Sequence, residues 1–237
     1  MNITYCDDYQ SLSLQAKELI LTALQQKKDS LFCAATGASP SGAYQLLAST
    51  YEQQPALFEQ VRLLKLDEWG GVPMQEPQTC EVFLQKYLIQ PLRIPASRYF
   101  GFNSDPENPQ LECDRIQAIL EQQGPIDLCL LGLGSNGHVA FNEPGEFLLP
   151  QCHIAALSGA SLQHSMAKAM RQPPAYGMTI GMGAILSAKK VILLISGNNK
   201  RQATEKLLQK RIATQLPASF LWLHPAVECV IDNQVFE

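Results

Sequence analysis

Short apolar runs alternate with helix-like stretches along most of the chain. Runs of this kind are typical of buried strands, and the segments between most of them have the periodicity of amphipathic helices. The strand-like runs lie at 30–35, 62–66, 126–131, 178–180, 191–195 and 220–223. Strands that alternate with helices need crossover connections, which place parallel strands in one sheet and helices on both of its faces. The sequence therefore predicts an α/β fold with a doubly wound, mainly parallel sheet.

The length and composition fit one domain. The chain has 237 residues, of which 46% are hydrophobic and 17% charged, enough apolar side chains for a sizeable core. No repeat or long linker interrupts it. We therefore predict a single domain over 1–237, with a mobile lid at about 151–178. The lid is suggested by the Pro173-Pro174 pair and by the Gly- and Ser-containing stretch at 157–161.

Polar or Gly-rich segments follow directly on several of the strand-like runs. They lie at 36–40, 67–71, 132–145 and 196–200. In open parallel sheets, ligands bind beyond the carboxyl ends of the strands. The four segments are therefore expected to meet at one edge of the sheet and to form a single site.

The segment at 36–40 reads Thr-Gly-Ala-Ser-Pro and predicts an anion cradle. Gly37 permits an unusual backbone angle, after which the N–H groups of Ala38 and Ser39 can face phosphate oxygens beside the Thr36 hydroxyl. Pro40 fits the first turn of a following helix. The alternative is an ordinary strand–helix turn with Ser39 as its cap. No Gly-Lys-Ser/Thr follows, so this is not a Walker A loop.

Two carboxylates, Asp67 and Glu68, stand where a buried run gives way to Gly70-Gly71. An acid at that edge can have its pKa raised by partial burial and act as a general base. The alternative is turn chemistry, since Asp before Gly is common in loops.

The segment from Gly132 has the spacing G-x-G-x-x-G and is followed by His138. A dinucleotide site is excluded because Pro144 interrupts the helix that should receive the pyrophosphate, and because no acid lies about 20 residues further on. The loop instead presents His138, with Asn136 and Glu143 close in sequence. An imidazole held by a carboxylate is a common proton shuttle near neutral pH, whereas the alternative is a loop histidine bonded to backbone.

Lys200 follows the run at 191–195 where a helix begins, so it can pair with a phosphate there or be a solvated surface lysine. The remaining histidines have no ligand-like spacing, and a metal site is unsupported. The net charge of −4 provides no basic face, which argues against nucleic acid as a partner. Seven dispersed cysteines fit reduced thiols, and neither a signal peptide nor a membrane span is evident. We expect a cytoplasmic protein without a membrane partner.

Together these segments resemble the glucosamine-6-phosphate deaminase/6-phosphogluconolactonase superfamily. Four of its blocks occur in order, namely Thr-Gly-x-Ser-Pro at 36–40, Leu-Asp-Glu at 66–68, Gly-His-Val-Ala-Phe-Asn-Glu-Pro at 137–144 and Gly-x-x-Lys at 197–200. Asn-Glu-Pro after Gly-His is typical of the deaminases. Within them the chain looks most similar to galactosamine-6-phosphate deaminase/isomerase, on the segments 80–85, 127–129, 142–146 and 152–154. The resemblance implies a Rossmann-like fold of the deaminase/6-phosphogluconolactonase type.

The resemblance also implies roles for these residues. Asp67 would take the proton from C2 of the open sugar and return it at C1, while His138 would protonate the ring oxygen with Glu143 holding it. Asn136 stands where glucosamine-6-phosphate deaminases usually have Asp, so it cannot supply a carboxylate to the relay. The 6-phosphate would be held by Thr36, Gly37, Ala38, Ser39 and Lys200, with Lys168 as a second cation and Arg171 as the alternative.

The reaction implied is conversion of galactosamine 6-phosphate and water to tagatose 6-phosphate and ammonia, with neither metal nor organic cofactor. Glucosamine 6-phosphate, which differs only at C4, is the alternative substrate. A 6-phosphogluconolactonase and a non-catalytic sugar-phosphate sensor are more distant alternatives. The chain starts close to its first helix without a preceding DNA-binding region, which disfavours the sensor. Whether the protein is a monomer or a homo-oligomer is left open.

Overall fold

The computed structural model describes residues 1–237, with ten strands and eight α-helices. The strands are β1 (Asn2–Cys6), β2 (Leu31–Ala34), β3 (Arg62–Lys65), β4 (Asp67–Gly70), β5 (Tyr99–Phe100), β6 (Leu128–Gly132), β7 (His153–Ala155), β8 (Tyr176–Thr179), β9 (Lys190–Ile195) and β10 (Val227–Asp232). The helices are α1 (Tyr9–Gln26), α2 (Ala38–Gln53), α3 (Cys80–Leu84), α4 (Pro109–Gln123), α5 (Gly159–Leu162), α6 (Ser165–Ala169), α7 (Met182–Leu186) and α8 (Arg201–Leu208). None of these helices has both the length and the apolar character needed to cross a bilayer.

Seven strands form one sheet in the order β1-β10-β9-β6-β2-β3-β5, and every neighbouring pair in it is parallel. The prediction of a mainly parallel sheet is confirmed. From β2 the chain builds outward through β3 and β5, whereas from β6 it builds the other way through β9 and β10. The order of strands therefore reverses between β2 and β6, and a crevice opens at such a switch point beyond the strand ends.

Both faces of this sheet are covered by helices, as predicted. Alternate residues of β2 point to opposite faces, so Phe32 belongs to one buried cluster and Cys33 to the other. The Phe32 cluster includes Leu12 and Ile20 of α1, and the Cys33 cluster includes Ile116 of α4. Each fully buried side chain of this size contributes about 1.5–3 kcal/mol to folding. The two clusters hold the sheet, and hence its strand ends, in a fixed geometry.

A second, three-stranded antiparallel sheet of order β4-β8-β7 stands beside the first. Asp67 is the first residue of β4 and lies opposite Thr179 of β8. The alternative of turn chemistry at Asp67 is not found, because residues 67–70 all pair with β8 and are buried. The strand predicted at 178–180 exists as β8, but in this sheet and not in the parallel one.

The strand predicted at 220–223 was wrong, since this run lies in a 3₁₀ helix, Pro217–Leu223. Proline at the start of that helix, and burial of Leu221 with the main core, satisfy the apolar run without a sheet. A short apolar run cannot by itself distinguish a strand from a buried helical turn. The last strand is instead β10, which pairs with β9 and β1.

Candidate active site

A cavity of about 930 Å³ opens at the carboxyl edge of the parallel sheet, where the strand order reverses. Residues from all four polar segments that follow the strands line it. Of the residues that the sequence singled out, the lining includes Thr36, Gly37, Ala38, Ser39, Asp67, His138, Lys168 and Lys200. The structure therefore brings most of the predicted site into one cavity, while Asn136 and Glu143 lie just behind His138.

The loop after β2 has the form of an anion cradle. Gly37 has a φ of 96°, in the region that favours glycine, and α2 begins at the next residue. No side chain caps this helix, so the N–H groups of its first turn are left for another acceptor. The alternative of Ser39 as the cap is not found, because its hydroxyl lies 3.0 Å from the Ser196 hydroxyl in the loop after β9.

Lys200 and Lys168 approach the cavity from different sides. Lys200 precedes α8, and burial lowers the pKa of its ammonium group. An amine in that position is stabilised in its charged form by a bound anion. Lys168 lies on α6, lines the cavity and is exposed to solvent. Arg171, the alternative second cation, is not part of the lining.

The Asp67 carboxyl group lies in the cavity wall, with 8% of the residue exposed. Burial, reinforced by the negative charge of Glu68, raises the pKa of Asp67 to about 7. The thiol of Cys80 and the charge of Lys65 act on this pKa in the opposite direction. A carboxylate that titrates near neutrality can both accept a proton and give it back.

Glu68, the second carboxylate of the predicted pair, is directed away from the cavity and is fully buried. Its oxygens accept hydrogen bonds from the backbone N–H groups of Trp69, Cys80 and Glu81, at 2.8–2.9 Å. Lys65 donates to Glu68 and to Glu81, each at 2.8 Å, and Lys65 is itself fully buried. Glu68 therefore fixes the start of α3 against β4, which places Asp67.

His138 is backed by a polar cluster. Its Nδ1 lies 3.4 Å from Oε2 of Glu143, and the same oxygen accepts a hydrogen bond of 2.8 Å from the Asn136 side-chain amide. The Ser161 hydroxyl donates to the other carboxylate oxygen. Although burial alone would raise the pKa of Glu143, the hydrogen bonds from His138, Ser161 and Asn136 outweigh it and lower this pKa to about 2. Glu143 is thus a permanent anion behind the imidazole.

Two glycines of the loop at 132–138 determine where the His138 side chain lies. A Cβ placed on Gly134 would collide with the ring of His138, so only glycine leaves room for the imidazole. Gly137 has a φ of 90°, which turns the chain so that His138 follows. Two glycines of the G-x-G-x-x-G spacing, Gly134 and Gly137, therefore have a structural reason that involves no nucleotide.

Sequence reasoning missed several lining residues, among them Cys80, Ser161 and His164. Cys80 and Ser161 carry no local motif, and His164 was set aside because it had no ligand-like spacing. The imidazole of His164 lies beside the cradle, where a Cβ on Gly37 would be 3.4 Å from its Nε2. Burial, together with the charges of Lys200 and His138, lowers the pKa of His164 to about 4. No group of three or more His, Cys, Asp or Glu side chains is arranged to hold a metal ion.

Comparison with known proteins identifies the family of the chain. The family described as glucosamine-6-phosphate isomerases/6-phosphogluconolactonase matches residues 8–230. AgaI of Escherichia coli (strain K12), for which deaminase is an inferred activity, is 41% identical over 227 residues, which cover 96% of this chain and 90% of AgaI. Glucosamine-6-phosphate deaminase 1 of Bacillus subtilis (strain 168) is 31% identical over 236 residues, covering 99% of this chain and 98% of that protein.

Solved structures share the same fold. A monomeric glucosamine-6-phosphate deaminase superposes with a TM-score of 0.94 at 31% identity, covering 100% of this chain and 99% of the other. The 6-phosphogluconolactonase from Trypanosoma brucei has a TM-score of 0.77 at 18% identity, covering 99% of this chain and 97% of the other, and shows only a common fold. The chain belongs to the family of glucosamine-6-phosphate isomerases and 6-phosphogluconolactonases.

Proposed function

We propose that the protein is an amino-sugar-6-phosphate deaminase that converts galactosamine 6-phosphate and water to tagatose 6-phosphate and ammonia. The observation that carries this proposal is the Asp67 carboxyl group, buried in the cavity wall with a pKa raised to about 7. It shares the cavity with an anion cradle at Gly37 and an imidazole at His138. These are the three groups that proton transfer on a phosphorylated sugar needs.

Ring opening is the proposed task of His138. Its Nδ1 is directed at Glu143, so Nε2 is left to meet the ring oxygen of the substrate. A proton delivered to that oxygen lets the ring C1–O bond break while the O1 hydroxyl gives its proton to solvent, which produces the open-chain aldehyde. Glu143, held as an anion, stabilises the imidazolium that carries the proton. Asn136 holds Glu143 by its amide and takes no proton itself.

Asp67 then carries the proton between the two adjacent carbons. Its carboxylate takes the proton from C2 while O1 takes a proton back from solvent, which gives an enolamine. The protonated carboxyl returns the proton at C1, which leaves a protonated imine at C2. Water adds to C2, the C–N bond breaks, and ammonia leaves as the ketose forms. The balance requires no oxidant and no organic cofactor, and a pKa near 7 suits both directions of transfer.

The 6-phosphate is proposed to bind at the first turn of α2, remote from the reacting carbons. The N–H groups of Ala38 and Ser39 and the cation of Lys200 would hold it, with Lys168 closing over it from α6. Binding of the 6-phosphate at this position orients C1 and C2 of the sugar toward Asp67. His164 beside Gly37 supports this location because it adds a polar donor to the same corner.

We also propose that the domain spans the whole chain and that the segment at 151–178 contains the lid. Its ends are strands β7 and β8 of the small sheet, which anchor it. Between them α5 supplies Ser161 to the cavity lining, α6 supplies Lys168, and His164 lies at the N-cap of α6. Movement would therefore be confined to the two short helices, and their closure would bring Lys168 toward the bound phosphate. A homo-oligomer stays a prediction, with size-exclusion chromatography as its test.

The C4 configuration of the sugar is the open choice between the two candidate substrates. The sequence segments at 80–85 and 142–146 support the galacto sugar through their resemblance to galactosamine-6-phosphate deaminases. The name of the B. subtilis relative and that of the monomeric deaminase structure favour the gluco sugar. The lactonase alternative has support only from fold similarity at 18% identity.

Ammonia release from both sugars at matched concentrations tests the proposal. We expect turnover with galactosamine 6-phosphate and a clear preference for it in kcat/KM over glucosamine 6-phosphate. A preference for glucosamine 6-phosphate would change the proposed substrate but would leave the proposed deamination reaction unchanged. Absence of ammonia from both sugars, with hydrolysis of 6-phosphogluconolactone, would overturn the deaminase proposal itself.

A further inference from the structure

The Asp67 carboxylate has a single hydrogen-bond partner, and this partner is a thiol. The Sγ atom of Cys80 lies 3.7 Å from Oδ1 of Asp67, within reach of a weak S–H donor. No other side chain or backbone N–H donates to that carboxylate, although the residue is 8% exposed. Buried carboxylates are usually satisfied by stronger donors. The Asp67 carboxylate is therefore held by one weak hydrogen bond, from the Cys80 thiol.

The same sulfur also accepts a hydrogen bond from the phosphate loop. The hydroxyl of Thr36 lies 3.2 Å from Sγ of Cys80 and donates to it. A continuous chain thus leads from Thr36, next to the anion cradle, through the thiol to Asp67. Neither contact could be anticipated from sequence spacing, since Cys80 is 44 residues from Thr36 and 13 from Asp67.

Cys80 is itself fixed in place. It is 1% exposed and begins α3, and its backbone N–H donates to Glu68 at 2.9 Å. The hydroxyl of Thr79 caps the same helix by accepting from Val82. These contacts fix the backbone that carries the thiol. The fold consequently places the Cys80 backbone beside Asp67, and the contacts with Thr36 and Asp67 hold the thiol there.

We infer that Cys80 is a positioning residue for the catalytic base, with its thiol orienting the Asp67 carboxylate and linking it to Thr36 of the phosphate loop. The inference rests on the proposed function of Asp67. A thiol donates more weakly than a hydroxyl, so it orients the carboxylate while stabilising its charged form only slightly. Serine at this position would make the base weaker, and alanine would leave it without a partner.

Variants at Cys80 do not change the other titratable groups close to Asp67. They come from β2, β3, β4 and α2, the elements around the carboxylate. The charges of Glu68 and Lys65 affect the pKa of Asp67, and the charge of Asp67 in turn raises the pKa of the buried Cys33 and Tyr44 side chains. Substitutions at Cys80 leave all four in place, so a change in the titration of Asp67 reports the thiol.

The test compares Cys80→Ala and Cys80→Ser with Cys229→Ala, a control at a buried cysteine of β10 outside the cavity. We expect Cys80→Ala to lower kcat about tenfold or more with a much smaller change in KM, because the base loses its orientation while the phosphate grip remains. The acidic limb of kcat/KM should move to higher pH in Cys80→Ala and to lower pH in Cys80→Ser. Serine should restore most of the lost kcat, and the control should match the wild type.

Carbon-13 NMR of labelled aspartate provides a readout that needs no turnover. The Asp67 carboxyl resonance is identified by its loss in Asp67→Asn, and its titration midpoint is measured in each protein. We expect the midpoint to rise in Cys80→Ala and to fall in Cys80→Ser. Identical midpoints in all variants would overturn the inference. An inactive wild type with shifted midpoints would instead reject the deaminase proposal while retaining the contact.

Discussion

The side-chain amide of Asn136 donates a hydrogen bond of 2.8 Å to Oε2 of Glu143, the oxygen that also lies 3.4 Å from Nδ1 of His138. The same amide lies 3.3 Å from the Ser158 hydroxyl, and its Oδ1 accepts from the His138 backbone N–H at 3.1 Å. A neutral donor therefore stands beside the Glu143 carboxylate. It stabilises the charge of Glu143 and fixes the start of the His138 loop.

Replacement of Asn136 by aspartate should weaken the enzyme most at alkaline pH. Two carboxylates at this distance cannot both ionise without repulsion, so the pKa of Glu143 should rise from its value of about 2. We expect kcat/KM to fall about tenfold near pH 8 and by less near pH 6, where the pair can share a proton. Steady-state rates across pH measure this.

Asn136→Ala is the matched control, because it removes the donor without adding charge. It should lose activity to a similar extent at both pH values. If Asn136→Asp were as active as the wild type at alkaline pH, the amide–carboxylate contact would have no part in catalysis.

Asp67→Asn should make the protein more stable at alkaline pH even as it removes activity. The folded pKa of about 7 lies above the ordinary value for aspartate, so the folded protein binds this proton more tightly than the unfolded chain does. The resulting stability is present at low pH and is lost as the pH rises through 7. Asparagine cannot ionise. We therefore expect the free energy of unfolding of Asp67→Asn to exceed that of the wild type by about 1–3 kcal/mol near pH 8.

Urea unfolding of both proteins at several pH values measures this difference directly. The gap in the free energy of unfolding should shrink toward zero as the pH approaches the ordinary range of aspartate. A gap that stayed constant with pH would show that the folded protein does not shift the pKa of Asp67.

Lys65→Met should destabilise the fold strongly. Lys65 and Glu68 are both fully buried and 2.8 Å apart, and Lys65 also pairs with Glu81. Removing the cation leaves a buried carboxylate without its counter-charge, which costs about 3–5 kcal/mol. Chemical denaturation measures the loss, with the exposed Lys28→Met as a control that should stay within about 0.5 kcal/mol of the wild type. Equal stabilities of the two variants would contradict the ion pair.

The two lysines at the cavity should differ in their effect on substrate binding. Lys200 is half-buried beside the cradle and Lys168 is exposed on α6. A less hydrated cation interacts more strongly with a phosphate. We therefore expect Lys200→Met to raise KM about a hundredfold and Lys168→Met about tenfold or less, with inorganic phosphate as a competitive inhibitor that weakens in parallel. A larger effect from Lys168 would assign the main phosphate contact to the lid.

The parallel sheet and most of the cavity could be predicted because buried strands read as continuous apolar runs and because polar segments end them. This placed Asp67, His138 and Lys200 correctly at one edge. Continuous apolar runs do not reveal strands with polar faces, such as β1, or β10, which contains Glu228 and Asp232. β10 pairs with β9 and β1 pairs with β10, and only the folded chain provides these partners.

Side chains that reach the cavity from outside the strand ends could not be predicted. Cys80 is brought to Asp67 because Glu68 accepts from the start of α3, a contact that has no local sequence pattern. His164 reaches Gly37 because α5 and α6 fold over the small sheet, where Met166 and Met170 pack against Trp69. Tertiary packing determines both positions.

Ammonia release together with hydrogen exchange at C2, measured for wild type and Asp67→Asn, tests the central claim most directly. We expect the wild type to release ammonia from an amino-sugar 6-phosphate and to exchange the C2 proton with solvent. Asp67→Asn should lose both activities by at least about a thousandfold, while it still binds the substrate. Full turnover by Asp67→Asn, or exchange without Asp67, would contradict the proposed role of this carboxylate.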